Sequence, residues 1–163
     1  MVGNVGTTER YNYTAVGEIV NVAARLESVP DLYACRVVVG PETAARVQEA
    51  FLLCELDTIR VKGRATPLTI FMPLAERSTA TAIQCAYVRG FATALAHYRA
   101  RRFVEAATMW ESLALMWQDT TQVRADAPVR PAHPATIMAQ RARGYVTHPP
   151  PQSWDGVWEL TTK

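Results

Sequence analysis

Asn21 and Arg25 stand four residues apart in Glu18-Ile-Val-Asn-Val-Ala-Ala-Arg-Leu-Glu27. The stretch reads as a helix, and residues four apart share one helical face, a turn above each other. Glu18 joins that face. Ile19, Val22, Ala23 and Leu26 form an apolar stripe on the other side. An amide and a guanidinium therefore project together from an element whose back is packed. A planar donor fork beside a neutral hydrogen-bonding amide suits an anionic oxygen, above all a phosphate. Solvation alone also accounts for an Asn and an Arg on the wet face of an amphipathic helix, and on spacing alone it is the commoner reason for such a pair.

The surrounding string is more specific. Gly3-Asn-Val-Gly6, Tyr13-Thr14, Val16-Gly17-Glu18 and Val20-Asn-Val-Ala-Ala-Arg-Leu-Glu27 follow in order. Leu56-Asp-Thr-Ile-Arg-Val-Lys-Gly63 and Pro67-Leu-Thr-Ile-Phe71 come later. Together these motifs, from Gly3 to about Leu74, closely resemble the class III nucleotidyl cyclases. The resemblance implies the C-terminal half of a catalytic domain that converts ATP to 3′,5′-cyclic AMP and pyrophosphate. It assigns Arg25 to the charge that develops on the α-phosphoryl oxygens and Asn21 to orienting the ribose. Lys62 matches the lysine that meets the terminal phosphates. Thr14 matches the base reader, where a hydroxyl that donates or accepts favours ATP over GTP. Without the resemblance, Thr14 is an ordinary strand threonine and Lys62 an ordinary hydrated lysine.

The resemblance also implies two divalent cations, Mg²⁺ or Mn²⁺, held by two aspartates in the half of the domain preceding Met1. Asp57, Asp119, Asp126 and Asp155 fall on different elements, and none pairs with another carboxylate as a Mg²⁺ site. The expectation within this chain is therefore no metal ligands. Class III sites form between two catalytic domains, so the implied partners are ATP and a second cyclase domain, in a homodimer of the parent protein. The chain holds one half of a shared site and is expected to be inactive alone. Val2-Gly-Asn-Val5 directly after Met1 reads as the end of a strand, as in a chain cut from something longer. The alternative function is a non-catalytic interaction module that carries a degenerate cyclase remnant.

Composition sets outer bounds. The 163 residues are 49% hydrophobic with a net charge of +2. That is enough for a core, and it gives no basic block for nucleic acid or an anionic membrane surface. No apolar run reaches membrane-spanning length and no signal-peptide pattern is present, so no membrane contact by this segment is expected. The three cysteines, Cys35, Cys54 and Cys85, are unpaired in spacing and read as buried or inert thiols of a reducing compartment. A cytoplasmic location is expected, and the resemblance to bacterial cyclases implies a parent protein anchored in the inner membrane by helices outside this chain.

The elements that must position these residues can be read in outline. Gly6 to Arg10 is a hairpin turn, Tyr11 to Val16 a strand, and Gly17 the switch to helix. Pro30 ends that helix. Arg36 to Gly40 reads as a β-branched strand and Pro41 to Ala50 as a helix. Phe51 to Lys62 and Pro67 to Leu74 read as a second hairpin. The expected fold is α+β, with residues 1–75 as the C-terminal half of a ferredoxin-like cyclase sandwich. Residues 79–118 form a helical hairpin. Ala94, Tyr98, Phe103, Ala106 and Trp110 sit there where a single tetratricopeptide-type (TPR-like) unit places its small and aromatic residues. Residues 119–163 are a loop-rich tail with a short helix over Thr136 to Arg143. The tail, around Trp154-Asp-Gly-Val157, resembles the C-terminal end of bacterial adenylate cyclases with an extracytoplasmic sensor domain. Trp154 and Trp158 are also expected to dock on the helical hairpin.

Overall fold

A computed structural model describes residues 2–7, 10–15, 17–61, 66–120 and 133–160. Over residues 2–7, 10–15 and 118–120 and at Glu18, Ile19, Asn21 and Arg25 the description is of the backbone. The fold is mixed α+β, as the sequence predicts. Strand β1 (Val2–Thr7) pairs antiparallel with β2 (Arg10–Ala15), and Thr14 stands opposite Gly3. Gly17 then turns the chain into helix α1 (Glu18–Leu26) at φ 152°, ψ 173°. Only glycine enters that region without strain. Val22 and Leu26 pack against the core, whereas Ala23 is exposed. The buried stripe is thus narrower than the pattern suggests. Pro30 does not merely end α1; it lies in the first turn of a separate short helix, α2 (Val29–Leu32).

Beyond α2, Arg36–Gly40 does not become a strand. Among the described residues its ladder is a single antiparallel bridge, with the Val39 and Phe71 amides each donating to the other's carbonyl at 2.9 and 3.0 Å. The next hydrogen-bonded rungs would place Pro41 opposite Thr69 and Val37 opposite Pro73. Each needs an N–H that proline lacks. Pro41 instead opens helix α3 (Pro41–Val47).

Strands β3 (Phe51–Arg60) and β4 (Leu68–Glu76) form the long antiparallel hairpin. Its register shifts between Glu55 and Asp57, where Glu55 faces Phe71 and Asp57 faces Ile70. Leu56 is the extra residue. Such a bulge re-aims the following side chain. Consecutive Leu56 and Asp57 are accordingly both buried in a strand that otherwise alternates.

Helix α4 (Ala82–Arg99) starts at a capping box. The Gln84 amide donates to the Thr81 hydroxyl at 3.2 Å, and the Thr81 amide to the Gln84 side chain at 2.8 Å. A turn at Arg101 leads to α5 (Phe103–Thr120). Ala94, Tyr98, Phe103, Ala106 and Trp110 are all buried. Trp110 meets the rings of Phe91 and Tyr98, each at 5.6 Å between centroids.

The C-terminal segment is more ordered than its proline content suggests. Helix α6 runs Pro134–Thr147 and packs on α5, burying Ala135, Met138, Ala139 and Ala142. Three small alanines on one face allow the close approach. Strand β5 (Trp158–Glu159) then joins β3 in parallel, with Ile59 opposite Trp158, giving a sheet ordered β4-β3-β5. Trp154 docks on the helices as expected, its ring 5.2 Å from that of Tyr98 and 5.8 Å from that of Phe103. Trp158 goes instead to the sheet edge and the face of α6.

His133 caps α6. Its Nδ1 accepts from the Ala135 amide at 3.3 Å and lies 3.4 Å from the Tyr87 hydroxyl. Burial pushes its pKa down to about 4. Between about 6.5, the ordinary histidine value, and about 4 the unfolded chain binds more protons than the folded one. Stability therefore falls as pH drops through that window. His133→Asn keeps a capping acceptor without the titration. Thermal unfolding at pH 7 and pH 5 is expected to show a smaller acid-induced loss in the variant than in the parent chain.

Candidate functional site

Thr14 lies on β2, and Asn21 and Arg25 lie on successive turns of α1, joined to β2 through Gly17. These three positions therefore follow one another along the chain on a strand, a glycine turn and a helix. Lys62 lies outside the described residues; β3 leads toward it through Arg60 and Val61.

A different constellation occupies the interior. Asp57 is fully buried. Its Oδ2 accepts from the Tyr33 hydroxyl at 2.6 Å and from Arg141 Nη1 at 2.5 Å, and its Oδ1 accepts from the Thr58 amide at 2.8 Å. Arg141 Nη1 also lies 3.3 Å from the Tyr33 oxygen. The guanidinium sits 3.8 Å from the centroid of the Trp158 ring and 5.1 Å from that of Tyr33. A desolvated cation over an indole face is stabilised by about 2 kcal/mol. Four elements meet here: the end of α2, the bulge of β3, α6 and β5.

Burial pushes the Asp57 carboxyl above its ordinary value, while Arg141, Tyr33 and the Thr58 amide pull against it. Burial, with the nearby carboxylate, also raises Tyr33 far above the ordinary tyrosine value, so its hydroxyl keeps the proton it donates. Burial opposes the charge on Arg141, but Tyr33 and Asp57 outweigh it and hold the guanidinium protonated. Around this knot lie exposed pairs. Arg60 binds Asp155 at 2.9 Å and also Glu159, and Arg99 reaches Glu55 at 2.7 Å.

The sequence gives little warning of this cluster. Asp57 stands in a strand where alternation would put it outside, and Arg141 lies far along the chain. The one available signal is the pairing of an Asp inside an apolar run with an Arg on an alanine-rich helix face.

Asp57, committed to three donors, has no carboxylate partner for a cation. Among the described residues no group of three or more His, Cys, Asp or Glu could hold a metal ion. The cysteines are free thiols; burial raises Cys35 to about 11 and Cys54 further, so neither is a ready thiolate. An open cleft of about 510 Å³ runs between α5 and α6, spanned by the Glu111–Arg143 pair at 2.8 Å. It draws no residue from β2 or α1. No helix of the described residues is long and apolar enough to cross a membrane.

Comparison with known proteins gives the family context. A stretch of 71 residues, 44% of this chain, is 39% identical to adenylate cyclase 1 of Rhizobium meliloti and covers 11% of that protein. An adenylate cyclase of Anabaena cylindrica is 31% identical over 74 residues, 44% of this chain and 15% of its own length. An uncharacterized protein of Mycobacterium bovis is 32% identical over 78 residues, 47% of this chain and 14% of its own. The matches thus span well under a fifth of each of these curated relatives. No family model and no solved structure matches the chain.

Removing one member of a buried ion pair strands the other, at a cost of about 3–5 kcal/mol. Arg141→Ala is expected to lose that much in urea unfolding at neutral pH. With its cation gone, Asp57 holds its proton more tightly folded than unfolded, so the variant becomes less stable as pH rises through the folded carboxyl pKa. Arg143→Ala, which breaks the exposed pair with Glu111, should leave the unfolding midpoint nearly unchanged.

Proposed function

We propose that this relative of adenylate cyclases supplies one half of a shared cyclase site, the half that reads the base and stabilises the transition state. A single feature carries the reading. Asn21 and Arg25 lie one turn apart on α1, which follows directly on the hairpin strand bearing Thr14, in a chain related to adenylate cyclases. Thr14 meets the adenine edge, Asn21 orients the ribose, and Lys62 binds the terminal phosphates of ATP.

In the reaction the ribose 3′-oxygen attacks the α-phosphorus. An O–P bond forms there as the bond to pyrophosphate breaks, and the 3′-hydroxyl proton is released. Negative charge gathers on the α-phosphoryl oxygens, to which the Arg25 guanidinium donates charge-assisted hydrogen bonds. Two divalent cations, Mg²⁺ or Mn²⁺, supply Lewis acidity in this chemistry. We read their aspartate ligands, as the family resemblance implies, as supplied by a second cyclase domain in a homodimer of the parent protein. We read residues 1–75 as the C-terminal half of a class III, ferredoxin-like catalytic domain. The α4–α5 pair is read as a TPR-like hairpin, supported by its buried Ala94, Tyr98, Phe103, Ala106 and Trp110. The parent protein is placed in the inner membrane by segments outside this chain, with this part in the cytoplasm. The lack of a cation-binding group among the described residues favours one second reading, a non-catalytic module on a cyclase remnant.

Isolated chain should make no cyclic AMP from ATP with Mn²⁺. Joined to an aspartate-bearing half and allowed to dimerise, it should turn over. Arg25→Ala should then lower kcat by about a hundredfold or more, with a smaller effect on KM. Mixing Arg25→Ala protomers with protomers lacking the aspartates should restore part of the activity, since one site of the mixed dimer keeps every group. A mixture that dimerises and stays inactive rejects the shared site and favours the second reading.

A further inference from the structure

We propose that Arg141, in the C-terminal segment, is a positioning residue for α1, acting through Asp57 and Tyr33. The inference rests on the reading of Asn21 and Arg25 given above. Helix α1 has nine residues, too few to persist without tertiary support. Its anchorage comes from Val22 and Leu26 against the core, and from α2, which follows directly. Helix α2 is itself one turn long, and its buried side chain is Val29; fully buried Tyr33 caps its C-terminal end. The Tyr33 amide bonds back to the Val29 carbonyl at 3.2 Å. Hence the orientation of the α1–α2 unit relative to the sheet depends on where the Tyr33 hydroxyl is held.

It is held at 2.6 Å from Asp57, and Asp57 is aimed inward by the β3 bulge and neutralised by Arg141. Arg141 in turn is fixed by the Trp158 ring, whose strand pairs with β3 at Ile59. The C-terminal segment therefore reaches α1 through directional bonds as well as through general packing. A buried ion pair adds little net stability over apolar residues of similar size. What the bonds supply is one fixed geometry, because an apolar replacement has no preferred angle.

That difference separates positioning from stability. The double variant Asp57→Leu/Arg141→Met fills the space without charge. Its thermal midpoint should fall less than that of Arg141→Ala, because no charge is stranded and only the Tyr33 hydroxyl and the Thr58 amide lose a partner. Amide hydrogen exchange over residues 18–33 should nonetheless be about tenfold faster, with α4 and α5 unchanged. In the reconstituted dimer with ATP and Mn²⁺ its kcat should fall about tenfold while KM changes less than about twofold. Tyr33→Phe, which removes only the hydroxyl, covers the case in which the double variant fails to fold. It should speed exchange over 18–33 about fivefold, the weight of one hydrogen bond. Arg143→Met should change neither exchange nor turnover. Parent-like exchange over 18–33 in Tyr33→Phe and in a folded double variant, or parent-like kcat in either, overturns the positioning role. If Arg25→Ala keeps full activity in the same dimer, the half-site reading fails instead, and the two failures are told apart by that variant.

Discussion

A carboxylate with no access to water must find its charge balanced inside the protein, and Asp57 imposes that demand on this fold. The solution draws on the same strand and on two distant parts of the chain. Thr58 supplies an amide from the same strand, Tyr33 a hydroxyl from the end of α2, and Arg141 a charge from α6. None of these parts can move away without leaving a buried charge exposed to an apolar interior. The knot ties the cyclase-like strands to the C-terminal helix more firmly than surface ion pairs can. The flanking Arg60–Asp155 and Arg99–Glu55 contacts are open to solvent and are screened accordingly.

The aromatic cluster beside the knot has a complementary role. Tyr98 and Tyr145 stack at 5.7 Å, and Trp154 meets both edge-on at 5.2 and 5.5 Å. These rings join α4, α6 and the segment after α6 through large apolar faces. They do not specify a single orientation as ionic hydrogen bonds do. Arg101 adds direction at the helical turn, donating to the carbonyls of Pro150 and Pro151 at 2.6 and 2.8 Å. The proline run is thereby held against the bundle. Chain ends that look like a separable tail become part of one core with the β3–β4 hairpin.

This integration bears on the half-site reading. Helix α1 and strand β2 carry the positions that resemble a cyclase, yet the described core is built mainly from β3, β4 and the three long helices. The positions proposed for chemistry sit on a short helix, steadied by residues from the other end of the chain. Preorganised donors need such support, because a guanidinium helps a transition state only where its position is fixed beforehand.

Much of the fold was legible from local rules. Gly17 marks the strand-to-helix switch because its backbone angles exclude other residues. The helical hairpin expected over residues 79–118 is met by α4 and α5. The spacing of Asn21 and Arg25, and the motif order that resembles cyclases, are also properties of the sequence, because each depends on neighbours a few residues apart. The missing strand at Arg36–Gly40 was decided by pairing, since prolines at 41 and 73 block the rungs on either side of Val39. The order of α6 and β5 was decided by what they pack on: alanines against α5, and a two-residue strand on an existing edge. The burial of Asp57 was decided by a bulge, and its tolerance by an arginine on a helix far along the chain. Local periodicity cannot register that pairing, because the free energy of a buried charge depends on which groups surround it in space.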